Sequence, residues 1–361
     1  MPEKLKRLFR TYVYADGRFA IDVRPQNRDI PLAARRLDRG DYPVIYTSHA
    51  PYAPLGAANH VGAQLAGRPA VFLLWLSWTM RRPRAVRMLS TAIAVYRRKR
   101  PEHEIVVLCN EEEERTAFEA SGVKAILCST NAFVDEETFR PASGTKKDYD
   151  AVHNAAMMPW KRHGLAERVD SCVHIFYAKD HFDLAEAMSY LASLRAQLPH
   201  HTFFNKTVDG RIEMIGPAAV NDVLARSRVG LCLSAEEGAM YASVEYLLAG
   251  LPVVSTPNIG GRDLFSDPDF WLTADPTPDS IGKAVDEMIG RDLSPDHIRA
   301  RTLERIHDHR ERLRSVVADV TGRQVMLPED LADPVYRTKP IWEKAPDFSA
   351  RIGLRAPAED N

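Results

Sequence analysis

Short apolar segments alternate with segments of helical periodicity, and this alternation limits the possible folds more than any other feature of the chain. Apolar runs at 70–76, 104–108 and 123–128 predict buried strands. Between them, 84–100 and 111–120 carry apolar residues at helical spacing. Strands that alternate with helices are typical of a parallel sheet covered on both faces. The first part of the chain, with further elements at 43–47 and 57–66, therefore predicts an α/β domain.

The same alternation resumes after a break. Residues 132–149 are polar and contain Pro141 and Gly144, which predicts a linker. Beyond it, the pattern predicts strands at 149–154, 172–177, 229–233 and 252–255, and helices at 161–168, 182–197, 239–249 and 295–320. We therefore expect two Rossmann-like domains that face a cleft, at 1–140 and 141–325, and a tail, 326–361, that packs back on the first domain.

Several classes of protein are disfavoured by missing signals. The chain has neither G-x-G-x-x-G nor a Walker lysine motif, which argues against dehydrogenases and P-loop enzymes. The four cysteines have no metal-binding spacing and predict buried thiols in a reducing compartment. The uncharged apolar run at 70–80 is shorter than the roughly 20 residues that span a bilayer. We expect a cytoplasmic protein with no bound metal.

A basic stretch without acidic residues stands out in the first half. No aspartate or glutamate occurs between Asp41 and Glu102. Such a field of one sign attracts an anionic partner. Trp75 and Trp78 precede the first arginines of residues 81–100 and could lie at the level of lipid headgroups. We expect peripheral contact with an anionic membrane through residues 81–100, with nucleic acid or an acidic acceptor as less favoured partners and a solvated helix face as the plainer alternative. The basic residues of 81–100 are Arg81, Arg82, Arg84, Arg87, Arg97, Arg98, Lys99 and Arg100.

The segment 231–265 carries the most specific chemistry. A predicted strand ends just before Glu237-Gly238, and Glu245 follows eight residues after Glu237. Free amides at a strand end and a helix start favour an anion, and a carboxylate on a buried helix face needs donors such as ribose hydroxyls. Gly260-Gly261 lets a backbone approach a ligand closely. The plainer alternative is that Glu237 caps the helix and Glu245 faces water.

This segment resembles the signature of the retaining family 4 glycosyltransferases of GT-B fold: E-G-x-G, a second glutamate eight residues after the first, a G-x-P-V-V strand and a Gly-Gly loop. The matching residues are Glu237-Gly238-Ala239-Met240, Glu245, Gly250-Leu251-Pro252-Val253-Val254 and Gly260-Gly261. Met240 replaces the usual glycine, and Tyr241-Ala242-Ser243 is bulkier and more polar than the usual aliphatic run.

The resemblance extends upstream. Asn131-Ala132-Phe133-Val134-Asp135 and Phe139-Arg140-Pro141 resemble the motif that closes the first domain of such enzymes. The strand 149–154 followed by Lys161-Arg162 resembles their lysine-bearing loop, with Asn154-Ala155 in place of the usual Gly-Arg. More loosely, 45–52 resembles the strand that ends in a cleft-facing histidine, here His49.

The resemblance implies a transferase that moves a sugar from a UDP- or GDP-linked donor to a hydroxyl of a glycan, lipid-linked or other acceptor, with no further cofactor and no metal. Retention in this family is attributed to front-side attack. Lys161, Arg162 and amides near Gly238 would stabilise the leaving diphosphate, and Glu245 would hold the ribose. Glu237 would orient the sugar. His49 is a third catalytic candidate, and the other substrate-binding candidates are Asn154, Ser243, Gly260 and Gly261.

Three other functions remain open from the sequence. A GT-B epimerase or phosphorylase would share the donor site without needing a hydroxyl acceptor. A nucleic-acid-directed glucosyltransferase would use the basic stretch, and its DNA binding would depend on salt. A sugar-nucleotide binding protein would carry the same site without catalysis.

Overall fold

The computed structural model describes residues 32–37, 42–49, 54–178, 184–322, 342–343 and 349–350. The contacts divide the chain into two units, one formed by Val134–Ile306 and the other by Met1–Phe133 with His307–Asn361. The domain boundaries that the sequence predicts, at 140 and 325, stay predictions, and most of the predicted tail, 326–361, lies outside the described residues. Among the described residues, no helix combines the length and the apolar character needed to cross a bilayer.

The first unit contains a mixed sheet with the strand order β14-β1-β2-β3-β4-β5. Its strands β2 to β5 are parallel, and β1 pairs antiparallel with β2 and β14. Every residue of β3 is buried, as expected for a central strand covered on both faces. The strands are β1 (Leu32–Arg36), β2 (Val44–Ser48), β3 (Ala70–Trp75), β4 (His103–Cys109), β5 (Ala125–Leu127) and β14 (Trp342–Glu343).

Helices of the first unit cover this sheet with apolar stripes. In α2, Val86, Leu89 and Ile93 recur at helical spacing and pack in the same core as Phe72 of β3. The helices are α1 (Ala58–Val61), α2 (Pro83–Lys99) and α3 (Glu112–Ala120), followed by a 3-10 turn, Thr130–Phe133. The predicted strands and helices between 70 and 128 are confirmed to within a few residues.

The second unit contains a parallel sheet with the strand order β13-β12-β11-β6-β7-β8. From its central strand β6, the chain builds outward to β7 and β8 on one side, and β11, β12 and β13 lie on the other. The strands are β6 (Tyr149–Ala156), β7 (Cys172–Tyr177), β8 (Thr202–Phe203), β11 (Ser227–Cys232), β12 (Val253–Ser255) and β13 (Trp271–Thr273). A ligand of such a sheet binds where the strand order reverses, which here is between β6 and β11.

The remaining elements of the second unit include several that the sequence analysis does not predict. These are the two-stranded hairpin β9 (Thr207–Val208) and β10 (Arg211–Ile212), strand β13, and the helices α5 (Pro217–Ala225) and α7 (Pro278–Gly290). The predicted helices α4 (Leu184–Gln197) and α6 (Tyr241–Leu248) are present. Helix α8 (Pro295–Thr321) confirms the long helix at 295–320 and contributes residues to both units.

Three predicted helices need correction. The helix predicted at 57–66 is limited to Ala58–Val61. Residues 161–168 form no α-helix: Arg162 has a φ of 54°, which separates the 3-10 turns Pro159–Lys161 and His163–Ala166. The helix predicted at 239–249 begins only at Tyr241, because Met240 also has a φ of 54°. A left-handed residue cannot continue a right-handed helix. Lys161 therefore ends a tight turn and does not begin a helix.

Candidate active site

The candidate site of the second unit lies at the switch point of its sheet. Strands β6 and β11 are hydrogen-bonded neighbours, and the chain leaves them toward opposite sides of the sheet. Asn154 lies near the carboxyl end of β6, and Lys161 follows in the next turn. Glu237 follows β11. The fold therefore brings together residues from two loops that are distant in the chain.

Lys161 and Glu237 form a buried ion pair. The ammonium of Lys161 donates a hydrogen bond to Oε1 of Glu237, and each side chain is less than a tenth exposed. Removing either charge would leave the other without compensation in a poorly solvated place. The prediction that both residues belong to one site is therefore supported by direct contact, while their catalytic roles stay predictions.

Asn154, Glu245 and Tyr246 form a second group beside this pair. The side-chain amide of Asn154 donates to Oε2 of Glu245 at 3.2 Å, and its backbone N–H donates to the hydroxyl of Tyr246 at 2.6 Å. Glu245 is 5% exposed, so the alternative in which it faces water is wrong. Tyr246 is not among the residues predicted from the sequence. A Cβ on Gly230 would lie only 2.3 Å from the ring of Tyr246. Gly230 therefore makes room for the ring that fixes Asn154.

Arg162 anchors the turn after β6 to the loops after β11 and β12. Its Nε donates to the carbonyl of Leu233, and its Nη2 donates to Oγ1 of Thr256 at 2.7 Å. Burial and the nearby guanidinium of Arg262 lower the pKa of Arg162 from its usual high value. Its half-buried guanidinium has N–H groups beyond those two bonds, and they can meet an anion.

Arg262 is a fully buried charge that the sequence analysis missed. Its guanidinium donates to the carbonyl of Ser234 at 2.6 Å, to Oγ of Ser255 at 2.7 Å and to the carboxylate of Asp263 at 2.6 Å. These bonds tie the ends of β11 and β12 to the Gly-Gly loop. An Arg-Asp pair directly after two glycines is the signal that could have identified it.

The Gly-Gly loop packs against the backbone of Glu237. The N–H of Glu237 donates to the carbonyl of Ile259 at 3.0 Å, and Gly260 has a φ of 116°. A Cβ on Gly260 would lie 1.8 Å from the Glu237 carbonyl oxygen, so only glycine fits. In this structure the close backbone approach is therefore to the chain itself. Contact of Gly260 and Gly261 with a substrate stays a prediction.

Gly238 and Ser243 lie on either side of the start of α6. Gly238 is buried in the connection between β11 and α6, and is not at a helix start. The hydroxyl of Ser243 lies 2.9 Å from the carbonyl of Met240 and 3.2 Å from that of Arg262. Ser243 therefore anchors the helix start to the Gly-Gly loop, and its predicted contact with substrate stays a prediction.

Tyr177, at the end of β7, is a further residue that the sequence analysis missed. Burial raises the pKa of its phenol, and the negative charges of Glu237 and Glu245 raise it further. The hydroxyl therefore remains protonated at neutral pH, and it is available as a hydrogen-bond donor near both carboxylates.

His49 belongs to the first unit, directly after β2. Its backbone N–H donates to the carbonyl of Trp75 at 2.8 Å, and its own carbonyl accepts hydrogen bonds from the hydroxyls of Ser48 and Ser77. Burial lowers the pKa of the imidazole from 6.5 to about 4. The ring is therefore neutral at pH 7, as a general base must be. Its catalytic role stays a prediction.

Some of the basic residues between 81 and 100 form ion pairs, so this stretch carries less uncompensated charge than its sequence indicates. Arg81 forms ion pairs with Glu111 and Glu113, and Arg97 with Glu104. Trp75 is 7% exposed and stacks on Tyr46 with ring centroids 6.1 Å apart, so its predicted place at a headgroup level is wrong.

Three arginines on one face of α2 keep their exposure. Arg84, Arg87 and Arg98 are exposed, and no ion pair of theirs occurs among the described residues. Because successive helical residues turn by about 100°, the three lie on one face. Trp78, 40% exposed, lies shortly before this helix.

The geometry of the second unit suits a ligand that carries both anionic and hydroxyl groups. Lys161 and Arg162 supply positive charge beside the switch point. Glu237 and Glu245 supply carboxylates that accept hydrogen bonds from hydroxyls. A phosphorylated sugar or nucleotide has both kinds of group.

Comparison with solved structures shows the fold. A glycosyltransferase from Rickettsia africae ESF-5 superposes with a TM-score of 0.53 and 13% identity, over 77% of this chain and 76% of the other. Anabaena Alr3699/HepE in complex with UDP-glucose gives 0.52 and 15%, over 73% and 77%. Sucrose-phosphate synthase from Thermosynechococcus elongatus gives 0.51 and 14%, over 78% and 74%.

These similarities identify the GT-B fold, α/β with two Rossmann-like domains, and thus confirm the predicted fold class. No family model matches the chain, and no curated protein matches it by sequence.

Proposed function

We propose that this protein is a retaining glycosyltransferase, of the kind found in family 4, that transfers a sugar from a nucleoside diphosphate sugar to an acceptor hydroxyl. The observation that carries the proposal is the pairing of Lys161 with Glu237, beside Asn154 and Glu245, at the switch point of the sheet. The family resemblance marks Lys161, Glu237 and Glu245 for the donor site, and Asn154 stands where the family usually has Gly-Arg. Charged residues are rarely buried unless they are paired, so the burial of Lys161 and Glu237 together indicates a built site.

In the proposed reaction, charge placement lowers the barrier. As the glycosidic bond breaks, the leaving diphosphate gains negative charge, which Lys161 and Arg162 stabilise. Part of the Lys161 charge is offset by Glu237 before the donor binds, so the ion pair keeps the ammonium in position. Glu237 orients the sugar, and its negative charge stabilises positive character at the anomeric carbon. The acceptor oxygen attacks the anomeric carbon from the side that the diphosphate leaves, and the proton of the acceptor hydroxyl passes to an oxygen of the departing diphosphate.

Glu245 is assigned to the ribose of the donor. Its carboxylate is buried and accepts a hydrogen bond from Asn154, which fixes its orientation. A carboxylate is the kind of acceptor that ribose hydroxyls require. Tyr246 holds Asn154 from behind. The group is thus arranged before the donor arrives, which reduces the entropy lost on binding.

Between the UDP- and GDP-linked donors, we propose a UDP-linked one. Anabaena Alr3699/HepE, which shares the fold, was solved in complex with UDP-glucose. The acceptor is a glycan, a lipid-linked sugar or another hydroxyl compound. The exposed face of α2 formed by Arg84, Arg87 and Arg98 would bring the protein to an anionic membrane surface, which favours a lipid-linked acceptor.

The proposal is tested with the full chain and a panel of nucleotide sugars, UDP-glucose and GDP-mannose among them. A donor at 100 times its Kd raises the free energy of unfolding by about 2.7 kcal/mol, which a thermal shift detects. Release of nucleoside diphosphate is then measured with and without acceptor mixtures, and NMR of the product gives the anomeric configuration. Added Mg²⁺ is expected to leave the rate unchanged.

The outcomes separate the alternatives. Acceptor-dependent release of diphosphate with retained configuration supports the proposal. Interconversion of donors without an acceptor indicates an epimerase, and transfer to phosphate indicates a phosphorylase. Binding of donors without turnover indicates a binding protein, and transfer to DNA a nucleic-acid-directed enzyme. If no nucleotide sugar stabilises the protein, the donor site is wrongly assigned.

A further inference from the structure

Four buried histidines lie together in the second unit. They are His153 on β6, His174 on β7, His163 in the turn after Arg162, and His201 just before β8, and none is more than 8% exposed. Ring centroids are 4.6 Å apart for His153 and His163 and 5.2 Å for His174 and His201. Neighbouring residues of a strand point to opposite faces, so His153 lies on the other face from Asn154. His163 directly follows Arg162 of the candidate active site, whereas His174 and His201 lie on β7 and just before β8.

Three metal-ligand residues meet at the edge of this cluster. Cys172 and His174 are two apart on β7 and share one face of the sheet. The parallel register pairs Val173 with Thr202, which places His201 beside Cys172. One potential ligand atom from each of Cys172, His174 and His201 lies within 4.8 Å of the other two. Ligand atoms on one tetrahedral zinc lie roughly 3.3–3.8 Å apart, so small side-chain rotations suffice to bind an ion.

Hydrogen bonding at His201 leaves the correct atom for a metal. Its Nε2 lies 3.1 Å from the carbonyl of Val169, which only accepts, so Nε2 carries the proton. Nδ1 then accepts the hydrogen bond that Nε2 of His174 donates at 3.0 Å, so an ion bound by Nδ1 would replace this bond. A ligand histidine whose other nitrogen donates to a carbonyl is the usual arrangement around bound metals.

Several nitrogens of the cluster lack partners. Among the described residues, no hydrogen-bond partner occurs for Nδ1 of His174, for either nitrogen of His153 or for Nε2 of His163. Buried polar atoms without partners are rare and costly, and each calls for an explanation such as an ion or ordered water. One of these four atoms, Nδ1 of His174, belongs to the group formed by Cys172, His174 and His201, and it points to a polar guest there.

We propose that Cys172, His174 and His201 bind a zinc ion. A thiolate with two imidazoles suits Zn²⁺, whereas Mg²⁺ and Ca²⁺ prefer oxygen. The ion ties β8, the edge strand of the sheet, to β7 and stabilises that edge. His200 is exposed and its ring centroid is 4.3 Å from that of His201, so an entry path for the ion begins at the surface. This inference does not depend on the proposed function.

The first experiment uses the wild-type full chain, expressed with zinc in the medium and purified without chelator. Mass spectrometry of metals is expected to give about one zinc per chain. After removal of metal by a chelator, added Zn²⁺ raises the melting temperature, and added Co²⁺ produces thiolate-to-cobalt absorption. Wild-type protein with no bound zinc, no thermal shift and no cobalt absorption overturns the proposal.

Variants identify the ligands. Cys172→Ser is expected to abolish the thiolate-to-cobalt absorption, and His201→Gln to remove the bound zinc. The matched controls are Cys232→Ser, another buried thiol of the same unit, and His200→Gln, the exposed neighbour; both are expected to keep the metal. Circular dichroism checks that each variant is folded, and the wild-type measurements stand if one is not. If Cys172→Ser keeps both zinc and the cobalt absorption, the assigned site is wrong.

Discussion

Lys161 donates a hydrogen bond to Glu237 across a sequence separation of 76 residues, and both side chains are buried where β6 and β11 end. A buried ion pair of this kind contributes little net stability, because the desolvation of both charges offsets their attraction. The ion pair lies at the switch point of the sheet. There it holds the ammonium of Lys161 where the leaving group of the proposed reaction would gain negative charge.

The first prediction concerns Lys161→Ala. The charge that Lys161 meets grows as the glycosidic bond breaks, so we expect kcat to fall by roughly 10²–10³-fold with a smaller change in KM. Steady-state kinetics with the identified donor measure both. Lys146→Ala, which changes an exposed lysine before β6, is the matched control. A raised KM with unchanged kcat would show that Lys161 binds the ground state only.

Glu245→Gln tests the ribose assignment. The amide keeps the size of the side chain but loses the negative charge and half of its acceptor capacity. Donor affinity is expected to fall by about 1–3 kcal/mol, or roughly 5- to 150-fold in Kd. Calorimetry with the nucleoside diphosphate measures it, and Glu287→Gln on the exposed side of α7 serves as control. An unchanged Kd in a folded variant contradicts the assignment.

Tyr246→Phe tests the residue that holds Asn154. The variant leaves the buried backbone N–H of Asn154 without its acceptor, which costs about 1–3 kcal/mol of stability. Urea unfolding measures the loss. The control is Tyr190→Phe, since the hydroxyl of Tyr190 makes only a long contact, 3.5 Å, with His163. Because Asn154 also orients Glu245, we expect weaker donor binding, and wild-type stability and Kd would contradict the role.

His309 makes stability depend on pH. Burial lowers its pKa from 6.5 to about 4. The unfolded chain therefore binds a proton that the folded chain does not, so its contribution is present above pH 6.5 and is lost as pH falls toward 4. Between about pH 7 and pH 5, the unfolding free energy of the wild type should fall about 2 kcal/mol more than that of His309→Gln. His307→Gln, exposed on the same helix, is the control, and identical pH slopes would refute the prediction.

The exposed arginines of α2 test the membrane proposal by flotation with liposomes. Anionic vesicles at low salt should recover the protein and neutral vesicles should not, because each basic residue near the surface contributes about 1 kcal/mol and salt screens it. Reversing the three charges on this face should reduce binding by a hundredfold or more, on the order of the three contributions combined. Equal, salt-independent recovery on both vesicles would exclude this surface as a membrane contact. The variant is R84E/R87E/R98E, and its control is R168E/R211E/R228E.

Sequence patterns determined the fold class and most of the sheet. Strands β3, β4, β7 and β11 contain short apolar runs, as expected for strands that are buried on both faces. The alternation with helical segments then allowed few architectures. The missed elements include the helices α5 and α7 and several very short strands. Strand β13 has three residues and the hairpin strands β9 and β10 have two each, which is too short for a period to show.

Two left-handed backbone conformations at the candidate site could not be predicted from the local sequence. The helix predicted at 161–168 is absent and α6 begins late, because Arg162 and Met240 adopt left-handed conformations. Such a conformation is unfavourable locally for these residues and persists only where surrounding contacts enforce it. For Arg162 those contacts include the carbonyl of Leu233 and the hydroxyl of Thr256, both distant in sequence.

The sequence by itself determined which residue types were available, and the tertiary structure decided which of them meet. The eight-residue interval from Glu237 to Glu245 marked a site, yet only the sheet order brought Lys161 and Asn154 to those carboxylates. The stretch without acidic residues looked strongly basic, but Glu104 and Glu111 fold back onto Arg97 and Arg81. Cys172 and His201 have no metal-binding spacing, and strand register alone sets them side by side. Electrostatic and coordination interactions weaken as the distance between two groups in space increases. Separation along the chain does not determine that distance.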